Sequence, residues 1–347
     1  MQPSVLNRRQ FSLGIGATAL AGFGVARAQS EGRIVLGQSA AFSGPAAQLG
    51  IQFNQGAKLF FDQLNAAGGV GKRMVEIRTL DDGYEPDRCA ENTRKLIADD
   101  VFALFGYVGT PTSLAAVPLF NQAKVPFFAP FTGAESLRQP FNRLIFHVRA
   151  SYYDETALIV RQLVNLGVKK IAVFHQNDAY GKAGLDGVNK ALAEHKLPLA
   201  GAATVERNSV DVAAAVEKLV AAKPDAVVQI AAYGASAAFV RAARKAGFGG
   251  TFYNVSFVGT QALADELGKD GAGVVVSQVV PSPYQPSRQI TREFLDAIKK
   301  AGDKVQPNYS SMEGFLAARI FTEGLRQAAA SGKISRDSFI SGMEGLG

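Results

Sequence analysis

The chain has 347 residues, 47% of them apolar and 19% charged, and a formal net charge of +7. That apolar content excludes a disordered chain, and the length exceeds one ordinary core and suits two lobes. With Arg8, Arg9 and Arg27 assigned to a leader and no basic run of five, the charge excludes a nucleic-acid module.

Residues 1–28 have the layout of a bacterial export signal. Asn7-Arg8-Arg9-Gln10-Phe11-Ser12 carries a twin arginine, and Ala26-Arg27-Ala28 has the small-x-small form of a cleavage site. Between them lie about 14 apolar residues, short of the roughly 20 needed to span a bilayer. The arginine pair resembles the twin-arginine pathway, which exports folded proteins. The mature chain is therefore expected to start near Gln29 and to work in the periplasm. Cys89 is the only cysteine, so no internal disulfide forms, and it is expected to be a buried structural thiol.

Short apolar runs then alternate with longer amphipathic ones. A strand is predicted over 33–38 and a helix over 50–67, closed by Gly68-Gly69. A strand over 75–80 and a proline-opened helix over 86–100 follow. Next come a strand over 101–108, a helix over 111–122 and a strand over 125–129. The pattern restarts after Ala150 with helix 153–166, strand 170–175, helices 181–195 and 211–222, strand 226–231, helix 236–246, strand 251–255 and strand 274–279. The tail reads as helices over 287–301 and 309–330. Strand-helix-strand alternation forces parallel pairing. Two α/β blocks with no linker between them imply a cleft where strand carboxyl ends meet helix amino ends.

The loops at those strand ends are the candidate site. Gly109 and Thr110 precede Pro111, placing Thr110 at a helix N-cap. Free N–H groups there suit a carboxylate, or equally serve a plain cap. Phe131, Thr132 and Gly133 follow the fourth strand, and Thr132-x-x-Glu135 has the form of a capping box. Tyr180 and Tyr233 each stand before a glycine at a strand end, where a ring can cover a guest or pack at a rim. Asp81-Asp82 ends a strand and reads as a solvated loop rather than a cation site. His147, His175 and His195 have no metal-ligand spacing. No nucleophile elbow or phosphate loop is present, and the Gly14-x-Gly16-x-x-Ala19 run lies in the leader with no strand before it. No enzyme, cofactor or metal centre is expected.

The same residues carry a resemblance. Gly37 to Pro45, Asn65-Ala-Ala-Gly68-Gly69-Val70-Gly71-Lys72, Asp81-Asp82, Lys95 to Val101, Gly106, Pro126 to Gly133 and Asn177-Asp178-Ala-Tyr180-Gly181 occur in the order of the periplasmic solute-binding proteins of the branched-chain amino-acid (Leu/Ile/Val-binding) type. The resemblance implies a type I periplasmic binding protein of α/β class. Its two lobes, each a mostly parallel sheet flanked by helices, are joined by three crossovers. Lobe one would be 29–150 and 280–347, and lobe two 151–279. It further implies a monomer that delivers an amino acid or related carboxylate to an ABC permease and its ATPase, touching the membrane only through them. A sensor of the same fold and, more remotely, an exported enzyme are the alternatives. By the same resemblance, Thr110 and Phe131-Thr132-Gly133 hold a carboxylate, Tyr180 and Tyr233 close from lobe two, and Leu49 lines the pocket. Where amino-acid binders place an acid for the ligand ammonium, this chain has Ser256-Phe257-Val258-Gly259. A free amino acid then needs another acid, such as Asp178, and an aliphatic or aromatic carboxylate becomes a candidate. Tyr84 and Gly109 stand where some relatives have a cysteine pair. The chain stops at Gly347, short of the family's usual end, so its closing strand is expected to be missing.

Overall fold

The computed structural model describes residues 32–302 and 304–346, and the export signal expected at 1–28 lies outside the described residues. The first sheet is built from β1 (Arg33–Ala40), β2 (Met74–Asp81), β3 (Ala103–Phe105), β4 (Phe127–Phe128) and β5 (Ile145–Phe146), in the order β2-β1-β3-β4-β5. Every pairing in it is parallel, with Leu36 beside Ala103 and Leu104 beside Phe127. Helices α1 (Ala47–Ala66), α2 (Pro86–Ala98) and α3 (Thr110–Ala123) carry the chain back between strands. A two-residue hairpin cannot make a parallel pair, so each return needs a crossover, which between β4 and β5 is a loop holding only the 3₁₀ turn Glu135–Leu137.

The second sheet repeats the scheme with β6 (Ile171–Gln176), β7 (Gly201–Val205), β8 (Ala226–Ile230), β9 (Thr251–Asn254) and β10 (Val274–Val276), in the order β10-β9-β8-β6-β7. Helices α4 (Tyr152–Asn165), α5 (Ala179–Glu194), α6 (Ala213–Ala221), α7 (Tyr233–Lys245) and α8 (Thr260–Leu267) flank it. Strands β6 and β8 are buried along their whole length, which is why they read as mostly apolar runs rather than alternating ones. The tail comprises α9 (Gln289–Lys300), α10 (Tyr309–Ala330) and α11 (Arg336–Glu344).

The tail packs onto the first sheet, not the second. Phe321 of α10 sets its ring edge-on to Phe105 at 5.8 Å and Phe128 at 5.1 Å, and Phe339 of α11 lies 4.6 Å from Phe321. Helix α10 also crosses α1 with backbones in contact. A Cβ at Gly56 would stand 1.8 Å from the Ser311 carbonyl oxygen, and one at Gly314 would stand 2.0 Å from that of Phe53. Only glycine permits that approach.

Four elements lie outside the sequence expectation: β5, β7, α8 and α11. Strand β5 has two residues, and β7 (Gly-Ala-Ala-Thr-Val) offers little apolar contrast. Strands β3 and β10 are three residues each, shorter than their apolar runs. Cys89 is fully buried as expected, and burial pushes its thiol far up.

The Asp81-Asp82 pair corrects the expectation of a solvated loop. Asp81 is partly exposed and pairs with Arg88. Burial opposes its charge, yet the Ser43 hydroxyl, the Phe42 and Gly83 N–H groups and Arg88 together hold it at about 2. Asp82 is fully buried and accepts from Ser39 Oγ at 2.7 Å and Tyr84 N–H at 2.8 Å. Burial outweighs those bonds and pushes it up to about 6. The fold thus favours protonated Asp82, so this group's stabilisation is complete below about 3.8 and is lost as pH rises through about 6. His147 acts oppositely. Burial and Arg138 hold it at about 4, so its contribution is lost as pH falls from about 6.5 toward 4. The difference in melting temperature between Asp82→Asn and wild type isolates the aspartate. It is expected to grow in the variant's favour from pH 4 to 6.5, and a flat difference across that range contradicts the assignment.

Candidate functional site

Loops after β2, β3 and β4 of the first sheet meet loops after β6 and β9 of the second, as expected for strand carboxyl ends. On the first side, Gly109 at φ +98° turns the chain sharply into α3. Gly109, not Thr110, is the N-cap. Thr110 is the first helical residue and Pro111 the second, a one-residue correction. Thr110 Oγ1 lies 2.6 Å from Thr132 Oγ1. Thr132 Oγ1 also accepts from Ala134 N–H at 3.3 Å. The expected capping box does not form. The short 3₁₀ turn Glu135–Leu137 has Ala134 at its N-cap and no side-chain cap. Thr132 is thereby left to face Thr110. The first N–H groups of α3 have no partner within the helix, so they and the two hydroxyls form a compact donor set.

Around this pair stand five aromatic rings. Phe257 lies 4.4 Å from Tyr180, 5.7 Å from Phe131 and 6.0 Å from Tyr84. Tyr152 lies 5.4 Å from Tyr180. All five are essentially inaccessible, as are Thr110, Thr132 and Leu49. Leu49 reaches across to the second side: a Cβ on Gly259 would stand 2.5 Å from its Cδ2. Gly133 carries α4's first turn, its carbonyl accepting from Tyr152 N–H at 2.7 Å.

Tyr84 and Gly109, the positions of the relatives' cysteine pair, touch each other. A Cβ at Gly109 would stand 2.2 Å from Tyr84 Cε2. The ring thus occupies the room that a side chain at Gly109 would need.

Beneath the rings, Arg149 forms a buried bidentate pair with Glu313 of α10, both bonds at 2.8 Å, and its guanidinium carbon lies 4.1 Å from the Phe131 ring centre. Burial alone would lower the arginine pKa, but Glu313 raises it, so the charge is retained. Among the described residues, Arg149 Nη1, Tyr152 OH and Tyr180 OH are buried without a hydrogen-bond partner. Burial pushes the Tyr152 phenol up to about 12 and the Tyr180 phenol well above its ordinary value, so both keep their protons and can donate. Buried, unpaired polar groups are costly unless a partner supplies the missing bond.

The acids nearby are engaged. Asp178 caps α5 by accepting from Tyr180 and Gly181 N–H, and its other oxygen takes Gln176 Nε2, with Arg207 at 3.5 Å. Glu155 accepts from Ser256 N–H at 2.7 Å, from Ser256 Oγ at 2.9 Å and from Ser277 Oγ. Tyr233 stands apart at the cleft mouth, its hydroxyl accepting weakly from Gln48 N–H at 3.4 Å. There it lines an open cavity of about 410 Å³ with Gly44, Pro45 and Val210. The loop positions of Thr110, Phe131 and Tyr180 were readable from strand ends. Tyr84, Arg149, Tyr152 and Glu155 were not, because their roles depend on crossovers and on the second sheet's approach.

The periplasmic binding protein family profile matches residues 33–347. The chain belongs to this family. It is a solute-binding protein of the Leu/Ile/Val-binding type, not an enzyme, and family members bind small ligands and function with ABC transporters. It is similar to a structure described as a possible leucine/isoleucine/valine-binding protein from Rhodopirellula baltica, with 36% identity, TM-score 0.84, and coverage of 91% of this chain and 87% of that one. It is 25% identical to the Leu/Ile/Val-binding protein homolog 7 of Brucella abortus, over 90% of this chain and 81% of the relative. A solute-binding protein of an ABC transporter from R. palustris, solved in complex with benzoate, shares the fold with TM-score 0.79 at 22% identity, covering 90% of this chain and 85% of the other. Among the described residues, no helix of this binding protein is long and apolar enough to cross a membrane.

Proposed function

We propose that this binding protein is the periplasmic capture component of an ABC importer, and that it encloses a small carboxylate with an apolar body between its two lobes. Lobe one is 29–150 with 280–347 and lobe two is 151–279. A signal in 1–28 directs export. The protein acts as a monomer, and its closed form is what the permease and ATPase engage.

The Thr110–Thr132 pair carries this reading: two hydroxyls from different strand ends, 2.6 Å apart at the opening of α3. A carboxylate there accepts from the one hydroxyl hydrogen that the Thr110–Thr132 bond leaves free and from the N–H groups of Thr110 and Gly133, and the helix dipole adds to the attraction. Phe131, Tyr180, Phe257 and Leu49 wrap the apolar body, and Tyr233 guards the mouth. Hinge motion brings the lobes together over it.

The body is better matched to an aliphatic or aromatic acid than to a free amino acid. Phe257 fills the place of an ammonium partner, and Asp178 and Glu155 are engaged by other donors. An ammonium beside them would lose its hydration without gaining a free acid.

A melting screen tests this. Benzoate and branched aliphatic acids are expected to raise the melting temperature, since a ligand that binds only the folded form stabilises it. Leucine, isoleucine and valine are expected to leave it unchanged. A rise confined to the amino acids overturns the reading.

A further inference from the structure

The turn Gly83-Tyr84-Glu85 leaves β2 in the first lobe, yet its outer bonds all go to the second. Gln176 Nε2, at the end of β6, donates to Tyr84 OH at 3.2 Å. Asn208 Nδ2, after β7, donates to the Gly83 carbonyl at 3.0 Å and to Glu85 Oε1 at 2.7 Å. Arg207 Nη2 donates to the other Glu85 oxygen at 2.9 Å. Within its own lobe the turn is preset by the two aspartates, with Asp81 accepting from Gly83 N–H and Asp82 from Tyr84 N–H. Tyr84 holds φ +65°, and an edge of its ring lies against Gly109 while the ring sits 6.0 Å from Phe257.

We propose that Gly83-Tyr84-Glu85 is a strap that lays Tyr84 over the solute, and that Arg207 and Asn208 are the latch that grips it and holds the cleft shut. Tyr84 is then a solute-covering residue, an assignment that rests on the capture reading above. The latch itself does not, because every bond in it joins protein groups.

The grip is stronger than an isolated surface pair. The side chains of Arg207 and Glu85 are 24% and 42% exposed, and a single pair of that kind contributes little. Here four donor bonds from three residues converge on three consecutive residues, and they form together as Tyr84 is buried. Arg207 is oriented from its far side by Asp178, 3.5 Å away. The same aspartate caps α5 beneath Tyr180, which ties the latch to the ring stack.

The experiment is small-angle scattering of the mature protein, comparing wild type with Glu85→Ala, Arg207→Ala and the double variant. Melting curves verify that each variant folds cooperatively. Wild type is expected to give a radius of gyration matching the closed form. Each single variant is expected to shift it upward, and the double variant no further than either. A wild type already expanded, variants with the wild-type radius, or additive shifts each overturn the latch. A second arm titrates benzoate into wild type and Tyr84→Ala by calorimetry, with a loss of about tenfold expected for a ring that covers the solute. Equal affinities remove Tyr84 from the solute while leaving the scattering result intact. No heat with wild-type benzoate rejects benzoate as a solute and with it this role for Tyr84, and the latch is still decided by scattering.

Discussion

Thr110→Ala is expected to weaken solute binding by about 10- to 100-fold, and Thr110→Ala/Thr132→Ala to reduce it further. A hydrogen bond to a charged group contributes about 1.5–3 kcal/mol, which is the basis for that range. Thr110 Oγ1 and Thr132 Oγ1 are both fully buried and 2.6 Å apart, so deleting one removes a donor and disorients the other. Asp82→Ala is the contrasting variant. It lies in the same lobe and is equally buried, but its carboxylate bonds to Ser39 and Tyr84 N–H. Its expected effect is on stability, with binding changed far less. Calorimetry on both variants, with a solute found by the melting screen, separates them. Equal losses remove Thr110 from the seat.

Glu313→Gln is expected to cost about 3–5 kcal/mol of stability, the largest single effect among these variants. The side chains of Arg149 and Glu313 are 1% and 5% exposed and joined by two bonds. Removing the carboxylate leaves a guanidinium charge under Phe131 without its bonded partner. The burial that the pair withstands together becomes an uncompensated desolvation. A fall in melting temperature of roughly 5–15 °C follows from that free energy for a protein of this size. Arg149→Met/Glu313→Leu removes both charges and fills the same space, so it is expected to recover much of the loss. A Glu313→Gln variant melting within about 2 °C of wild type contradicts the pair's role.

These two variants also mark where the sequence was and was not legible. Thr110 could be placed because Gly109 and Pro111 flank it, and a glycine turn followed by an early proline opens a helix after a strand. Its partner Thr132 was placed beside it but given the wrong local role. Thr-x-x-Glu matches a capping box by spacing, whereas the chain after Thr132 stays extended through Ala134 before a single 3₁₀ turn. The helices with a clear apolar stripe fell close to their predicted spans, and α10 matched its limits. Strands β5 and β7 were invisible because two residues, or five small ones, carry no period. Arg149 offered no signal, since a lone arginine between two blocks reads as solvated charge. Only the return of α10 to the first lobe brings Glu313 to it. Tyr84 was noticed as the occupant of a cysteine position, and the place of its ring depends on Gly109 having no side chain.

The most direct measurement is a crystal structure of the protein with a carboxylate that raises its melting temperature. It is expected to show the carboxylate within about 3 Å of the Thr110 and Thr132 hydroxyls, its body among Phe131, Tyr180 and Phe257. A solute lodged instead in the outer cavity beside Tyr233, or bound through its amine to Glu155 with the threonines unengaged, contradicts the account.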